Sequence, residues 1–188
     1  MIAAARSLIA ALALGGCATP AARPASDAFF ANLAALCGQR FAGTMTTNDP
    51  ADAAFAGQSL EVQAQDCTQT QIRLPFAVGA DRSRTWIVTR TADGMRLKHD
   101  HRHPDGTPDA LTNYGGDARG PGTATRQDFP ADAESRAMFL ANDRAVAIDN
   151  VWTLEIDPGR SLTYSLQRPN RHFSARFDLS RPLPNPAD

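Results

Sequence analysis

"VWTLEIDPGRSLTYSLQRPNRHFSARFDL", residues Val151 to Leu179, alternates apolar and polar side chains through three successive runs. Trp152, Leu154 and Ile156 share one face of the first run. Leu162, Tyr164 and Leu166 share one face of the second, and Phe173, Ala175, Phe177 and Leu179 one face of the third. A period of two marks a β-strand with one buried face. Pro158-Gly159 is a turn pair between the first two runs. Strands joined by such tight turns pair antiparallel, with one face on a core and the other in water.

The same period extends upstream. Runs at Phe41–Thr47, Leu60–Gln65, Ile72–Val78, Arg84–Arg90 and Met95–His103 alternate, Pro75 marking an edge or a bulge. Ala92-Asp93-Gly94 and Pro104-Asp105-Gly106 separate the later ones, and Asp109–Tyr114 can pair back, so Arg84 to Tyr114 reads as a three-stranded meander. Gly122–Phe129 is a further strand. Two segments carry helical spacing instead. Phe29, Phe30, Leu33 and Leu36 lie on one face of a helix capped by Ser26 or Asp27 and stopped by Gly38. Pro130 to Asp143 opens like a short second helix, with Met138 and Phe139 on one face. About nine strands with short turns and two helices give a mainly β, antiparallel fold. A meander this long shields its edges by closing into an up-and-down barrel or by folding into a two-sheet β-sandwich, and the barrel is the preferred reading. An N-terminal helix, a strand carrying Phe41-Ala42-Gly43-Thr44 and then a meander resemble the layout of calycin, or lipocalin-like, barrels. The Gly-x-Trp of lipocalins is replaced here by those four residues.

The N-terminus reads as processing rather than fold. "MIAAARSLIAALALGGC" has Arg6 as a positive start, an apolar run from Ser7 to Leu14, and small residues before Cys17. The run is shorter than the about 20 residues a bilayer span needs, and fits a signal peptide over residues 1–16. Leu14-Gly15-Gly16-Cys17 resembles the bacterial lipobox, which implies cleavage before Cys17 and acylation of that cysteine. Ala18 in the next position implies sorting to the outer membrane. Residues 17–26, rich in Ala and Pro, read as a lipidated tether, and residues 27–188 as a single β-rich domain. With Cys17 acylated, Cys37 and Cys67 remain to form one disulfide in an oxidising compartment. It would close a loop of about 30 residues and stabilise by about 3 kcal/mol on a loop-entropy argument.

Apolar residues form 43% of the chain, enough for a substantial core, and the formal net charge of -1 suggests no nucleic-acid partner. Chemistry concentrates in "KHDHRH", Lys98 to His103, which holds three of the four histidines. His99, His101 and His103 continue the face of Met95 and Leu97, so they point inward if those two do. Three uses fit them. Neighbouring imidazoles about 6.6 Å apart could share a zinc or other transition ion, joined by His172, although the outer two stand about 13 Å apart. Alternatively, His99 and His101 could join Arg82, Arg84, Trp86 and Tyr114 in a pocket for a small anionic or aromatic ligand at a barrel mouth. Or they are hydrogen-bonded to Asp, Thr and backbone as a polar strand end. Ser83 lacks a Gly-x-Ser-x-Gly elbow, and "YGGDARGPG" fits no dinucleotide or Walker pattern, so binding is favoured over catalysis.

The stretches "IRLPFAVGADRSRTW", "LKHDHRHPDG" and "YGG", within Ile72–Gly116, resemble a group of uncharacterised bacterial secreted proteins and lipoproteins, as do "NVWTLEI" and "FDLSRP". The resemblance implies an envelope domain and transfers no catalytic residue. The expectation is a lipid-anchored envelope protein that binds a small polar ligand. The alternatives are a histidine-based metalloprotein or an interaction protein without a small-molecule site.

Overall fold

The computed structural model describes residues 24–184. The segment read as a signal peptide (residues 1–16), the Cys17 read as a lipidation site and most of the segment read as a tether lie outside them. A first helix, α1 (Ala25–Ala34), precedes five strands: β1 (Arg40–Met45), β2 (Leu60–Gln63), β3 (Gln71–Val78), β4 (Asp81–Thr91) and β5 (Gly94–His101). Then come β6 (Tyr114–Asp117), β7 (Arg126–Pro130), a second helix α2 (Ala133–Ala141), β8 (Val151–Asp157), β9 (Ser161–Arg168) and β10 (Arg171–Leu183). The ten strands form one antiparallel sheet in the order β6-β5-β4-β3-β2-β1-β10-β9-β8-β7. The sheet curls into a nearly closed up-and-down barrel, as the meander implies. A sandwich is excluded, because every strand belongs to the one sheet.

The alternation that defined the strands sets the interior. Leu154, Ile156, Leu162, Phe177, Val88 and Leu97 are all fully buried. Pro75 lies one residue beyond the last β2–β3 partner pair, Val62 with Phe76, so its missing N–H breaks no ladder there, and a register shift follows at Phe76/Val78. Two strands differ from the sequence reading. β6 starts only at Tyr114, because Asp109 folds back to accept from the Leu111 amide and Asn113 takes a left-handed φ of 55°. β7 starts at Arg126, after turns at Gly122 and Thr123.

α1 starts at Ala25, one residue before the cap read from the sequence, with Pro24 at its N-cap and Asp27 in its first turn. It packs against β5, β7 and β8, and buries Phe29, Phe30 and Leu33. Arg90 near the end of β4 pairs with Asp27 and lies over the Phe30 ring, so the helix stoppers the end of the barrel that holds the β4–β5 turn. The Cys37–Cys67 disulfide forms and ties the chain after α1 to the β2–β3 connection.

The barrel's seam lies between β6 and β7. Two backbone hydrogen bonds bridge it, from the Asp132 amide to the Gly115 carbonyl and from the Arg119 amide to the Asp128 carbonyl. At Gly116 a Cβ would stand 2.0 Å from the Pro130 carbonyl oxygen, so only glycine lets the strands come this close. α2 clasps the same seam. Ser135, fully buried, accepts from the Gly115 amide and donates to its carbonyl. The chain's one lysine, Lys98, holds Asp132 and Glu134 at 2.8 and 3.1 Å.

Candidate functional site

Register brings together residues from distant parts of the chain. Trp86 faces His99 across β4–β5, His99 faces Tyr114 across β5–β6, and Trp152 faces Leu166 across β8–β9. The level below, towards α1, is filled by Leu97, Val88, Leu154 and Ile156. The level above is not filled. A cavity of about 510 Å³ opens there, at the end away from α1. That volume lies within the range of small-molecule sites.

The cavity's body is aromatic. Trp86 stacks on Tyr164 at 4.1 Å between centroids and on Phe76 at 4.7 Å. His99 stacks on Tyr114 at 4.7 Å and tilts against Trp152 at 5.0 Å. Phe139 of α2 and Phe173 of β10 complete the wall.

Its mouth is charged. Arg84, Arg144, Arg168 and Arg171 line it, with Asp52 and Asp109. Arg171 is neutralised by Asp52, which is buried in a short 3-10 turn at Pro50–Asp52, and by Asp49 at 3.2 Å. Arg84 pairs with Asp81 at 2.5 Å and lies against Phe55. Arg144 and Arg168 form no ion pair among the described residues. Arg168 meets only a neutral partner, the Asn150 side-chain carbonyl at 3.1 Å.

His99 is 1% exposed and uses both ring nitrogens. Nδ1 lies 3.1 Å from the Tyr114 carbonyl, and Nε2 lies 2.8 Å from the Tyr164 hydroxyl. A carbonyl only accepts, so Nδ1 carries the proton and donates. Burial pushes the pKa of this imidazole down to about 3, so it is neutral and Nε2 accepts from Tyr164. His101 pairs through Nε2 with the Tyr114 hydroxyl at 2.9 Å. Burial and then the Arg84 cation lower its pKa too. The two histidines of β5 therefore brace Tyr114, and with it β6, by backbone and by ring.

Five of the six residues read as ligand-binding from the sequence line the cavity: Arg84, Trp86, His99, His101 and Tyr114. Arg82 does not; it is exposed and donates to the Gly79 carbonyl at 2.6 Å. The four histidines proposed as metal ligands are not gathered. His103 does not continue inward, because β5 ends at His101 and the Pro104-Asp105-Gly106 turn carries His103 into solvent. His172 is exposed on β10, on the face opposite Phe173. Among the described residues no group of three or more His, Cys, Asp or Glu side chains is placed to hold a metal ion. Sequence reasoning missed Tyr164, Trp152, Asn150, Arg144 and Arg168 as cavity residues. The alternation had marked Tyr164 and Trp152 as inward, but no local signal separates lining a cavity from filling a core.

Comparison with known proteins returns no match: no family model fits the chain, and no curated protein and no solved structure is significantly similar to it.

Proposed function

We propose that this protein is a small-molecule-binding barrel held at the bacterial envelope by a lipid on Cys17. One observation carries the binding reading: the barrel is packed solid at the α1 end and hollow at the other. Its hollow of about 510 Å³ is walled by rings and rimmed by arginines. Protein interiors ordinarily fill to crystal density, so space of this size with convergent polar groups points to an occupant. The apolar wall supplies affinity by burial, and the charged rim supplies orientation.

The test is titration with 1-anilinonaphthalene-8-sulfonate, a ring system bearing one anion. It is expected to bind saturably at one site per chain. Leu166→Trp and Ala147→Trp, which fill the cavity from two sides, are expected to abolish binding while far-ultraviolet circular dichroism stays unchanged. Absence of saturable binding, or equal binding by both filled variants, refutes the reading.

The lipobox-like Leu14–Cys17 supports the anchor. Several acyl chains hold a soluble domain stably where one holds it marginally. Fractionation of the expressing bacterium is expected to find the protein with membranes and Cys17→Ser in the soluble fraction; a variant that stays with membranes argues against lipidation. With α1 on the closed end, an attachment through the residues before Pro24 leaves the cavity mouth on the other side of the barrel, open to diffusing ligands.

A further inference from the structure

We propose that the ligand is a flat molecule with a single acid group and, at its opposite end, a hydrogen-bond donor. Arg168 holds the acid at the mouth, and the Tyr164 hydroxyl oxygen receives the donor at the floor. The proposal rests on the ligand-binding reading above and gives it a chemical class.

The floor is fixed by a proton count. His99 Nδ1–H is spent on the Tyr114 carbonyl, so Nε2 can only accept. The proton on Tyr164 is therefore committed to Nε2 at 2.8 Å. Burial keeps both groups in these forms, since it lowers the pKa of His99 and raises that of Tyr164 well above its ordinary value. The Tyr164 oxygen is left with lone pairs and no proton to offer. No other hydrogen bond reaches that oxygen among the described residues. A ligand atom docking there must bring an N–H or O–H. A carbonyl, ether or carboxylate oxygen would meet lone pairs, so the floor also excludes the ligand's acid end.

The mouth selects charge. Arg168 and Arg171 face each other as a register pair at the β9–β10 turn. Arg171 is ion-paired with two carboxylates, while Arg168 is partly buried and ion-paired with none among the described residues, Asp49 acting on it only from beyond contact. A guanidinium beside a second guanidinium, with only an amide for a partner, has unused donors in a fork that fits a carboxylate. Exposed Arg144 adds a second cation at the mouth without an ion pair among the described residues. Asp109, the lining carboxylate without an ion pair among the described residues, stands by His101 on β5 near the Arg84–Asp81 pair, across the barrel from Arg168 on β9.

The spacing joins the two ends. Tyr164, Leu166 and Arg168 alternate along β9, and all three line the cavity. The outer two have Cα atoms about 13 Å apart. With both side chains reaching inward, a fused bicyclic ring with a short acidic arm fits between them. The ring walls favour a flat body, since edge and face contacts with aromatic side chains add to burial.

Isothermal titration calorimetry with three near-isosteric probes tests this on the unmodified protein. Indole-3-acetate has the ring donor and the acid, naphthalene-1-acetate lacks the donor, and indole-3-ethanol lacks the acid. Indole-3-acetate is expected to bind about tenfold more tightly than either of the others, the effect of one hydrogen bond or one charge contact. Arg168→Gln is expected to weaken both acids about tenfold and leave indole-3-ethanol unchanged. Tyr164→Phe is expected to equalise the two acids. Naphthalene-1-acetate binding as tightly as indole-3-acetate overturns the donor assignment. Arg168→Gln without effect on the acids overturns the clamp. If none of the three binds while anilinonaphthalene sulfonate does, this proposal falls and the ligand-binding reading stands; if that dye fails as well, both fall.

Discussion

His99 makes the inner face of β5 polar, yet it leaves no ring nitrogen unpaired. Its low pKa has a direct consequence for stability. The unfolded chain takes up a proton on this imidazole near its ordinary 6.5, and the fold refuses it until about 3. Between those values the unfolded state binds more protons, so stability is full above about pH 6.5 and falls as pH drops. The expected slope approaches about 1.4 kcal/mol per pH unit from this group alone. His99→Leu cannot titrate, and urea denaturation at several pH values is expected to show a flatter profile between 6.5 and 4.5. It is also expected to lose about 2–4 kcal/mol at neutral pH, because the Tyr114 carbonyl and the Tyr164 hydroxyl lose their partners. A wild-type slope in the variant would assign the pH dependence to other groups. The inward face of His99 and His101 was legible from Met95 and Leu97, since period two fixes which side chains share a face. Their partners were not legible. Tyr164 lies 65 residues from His99, and only the closed sheet sets that approach.

The elements that matter most are the two helices. α1 fills one end of the barrel and leaves the other hollow. α2 does work that its short amphipathic pattern did not announce. Its Ser135 pairs with both polar groups of the Gly115 backbone, which β7 would otherwise satisfy in a regular sheet. Ser135→Ala is expected to cost about 2 kcal/mol in denaturant unfolding, because a buried amide loses its acceptor. Hydrogen exchange at Gly115 is expected to rise with it; exchange that stays slow in the variant would show that the seam does not depend on this clasp. The helix run within Pro130–Asp143 was visible in the sequence, as was the meander of β8 to β10, whereas the capping role of Asp132 comes from the structure. The late starts of β6 and β7 were hidden, since side-chain-to-backbone hydrogen bonds at Asp109 and Thr123 outweigh a weak local alternation.

At the scale of the whole molecule, hydrophobic periodicity was enough to specify pairing sense and a single core, and its about nine strands came close to the ten observed. It could not say how full the barrel is. The interior volume depends on how ten strands curl around one helix, and a Phe or Tyr at an inward position looks the same over a cavity as in a packed core. For the same reason Arg84 was recognisable beside Trp86 on one strand, whereas Arg144 and Arg168 gained their place only through the fold. The ladder between β1 and β10 has a further consequence, in the order of events as the chain folds. It joins Met45 to Ala175 and Arg40 to Leu183, so the first strand waits for the last. Each meander can form early from neighbours in sequence, but neither can shelter its core until that long loop closes. Closing it late places the rate-limiting search at the end of folding, when two preformed half-walls meet. A chain that emerges from synthesis N-terminus first stays open until its final strand arrives.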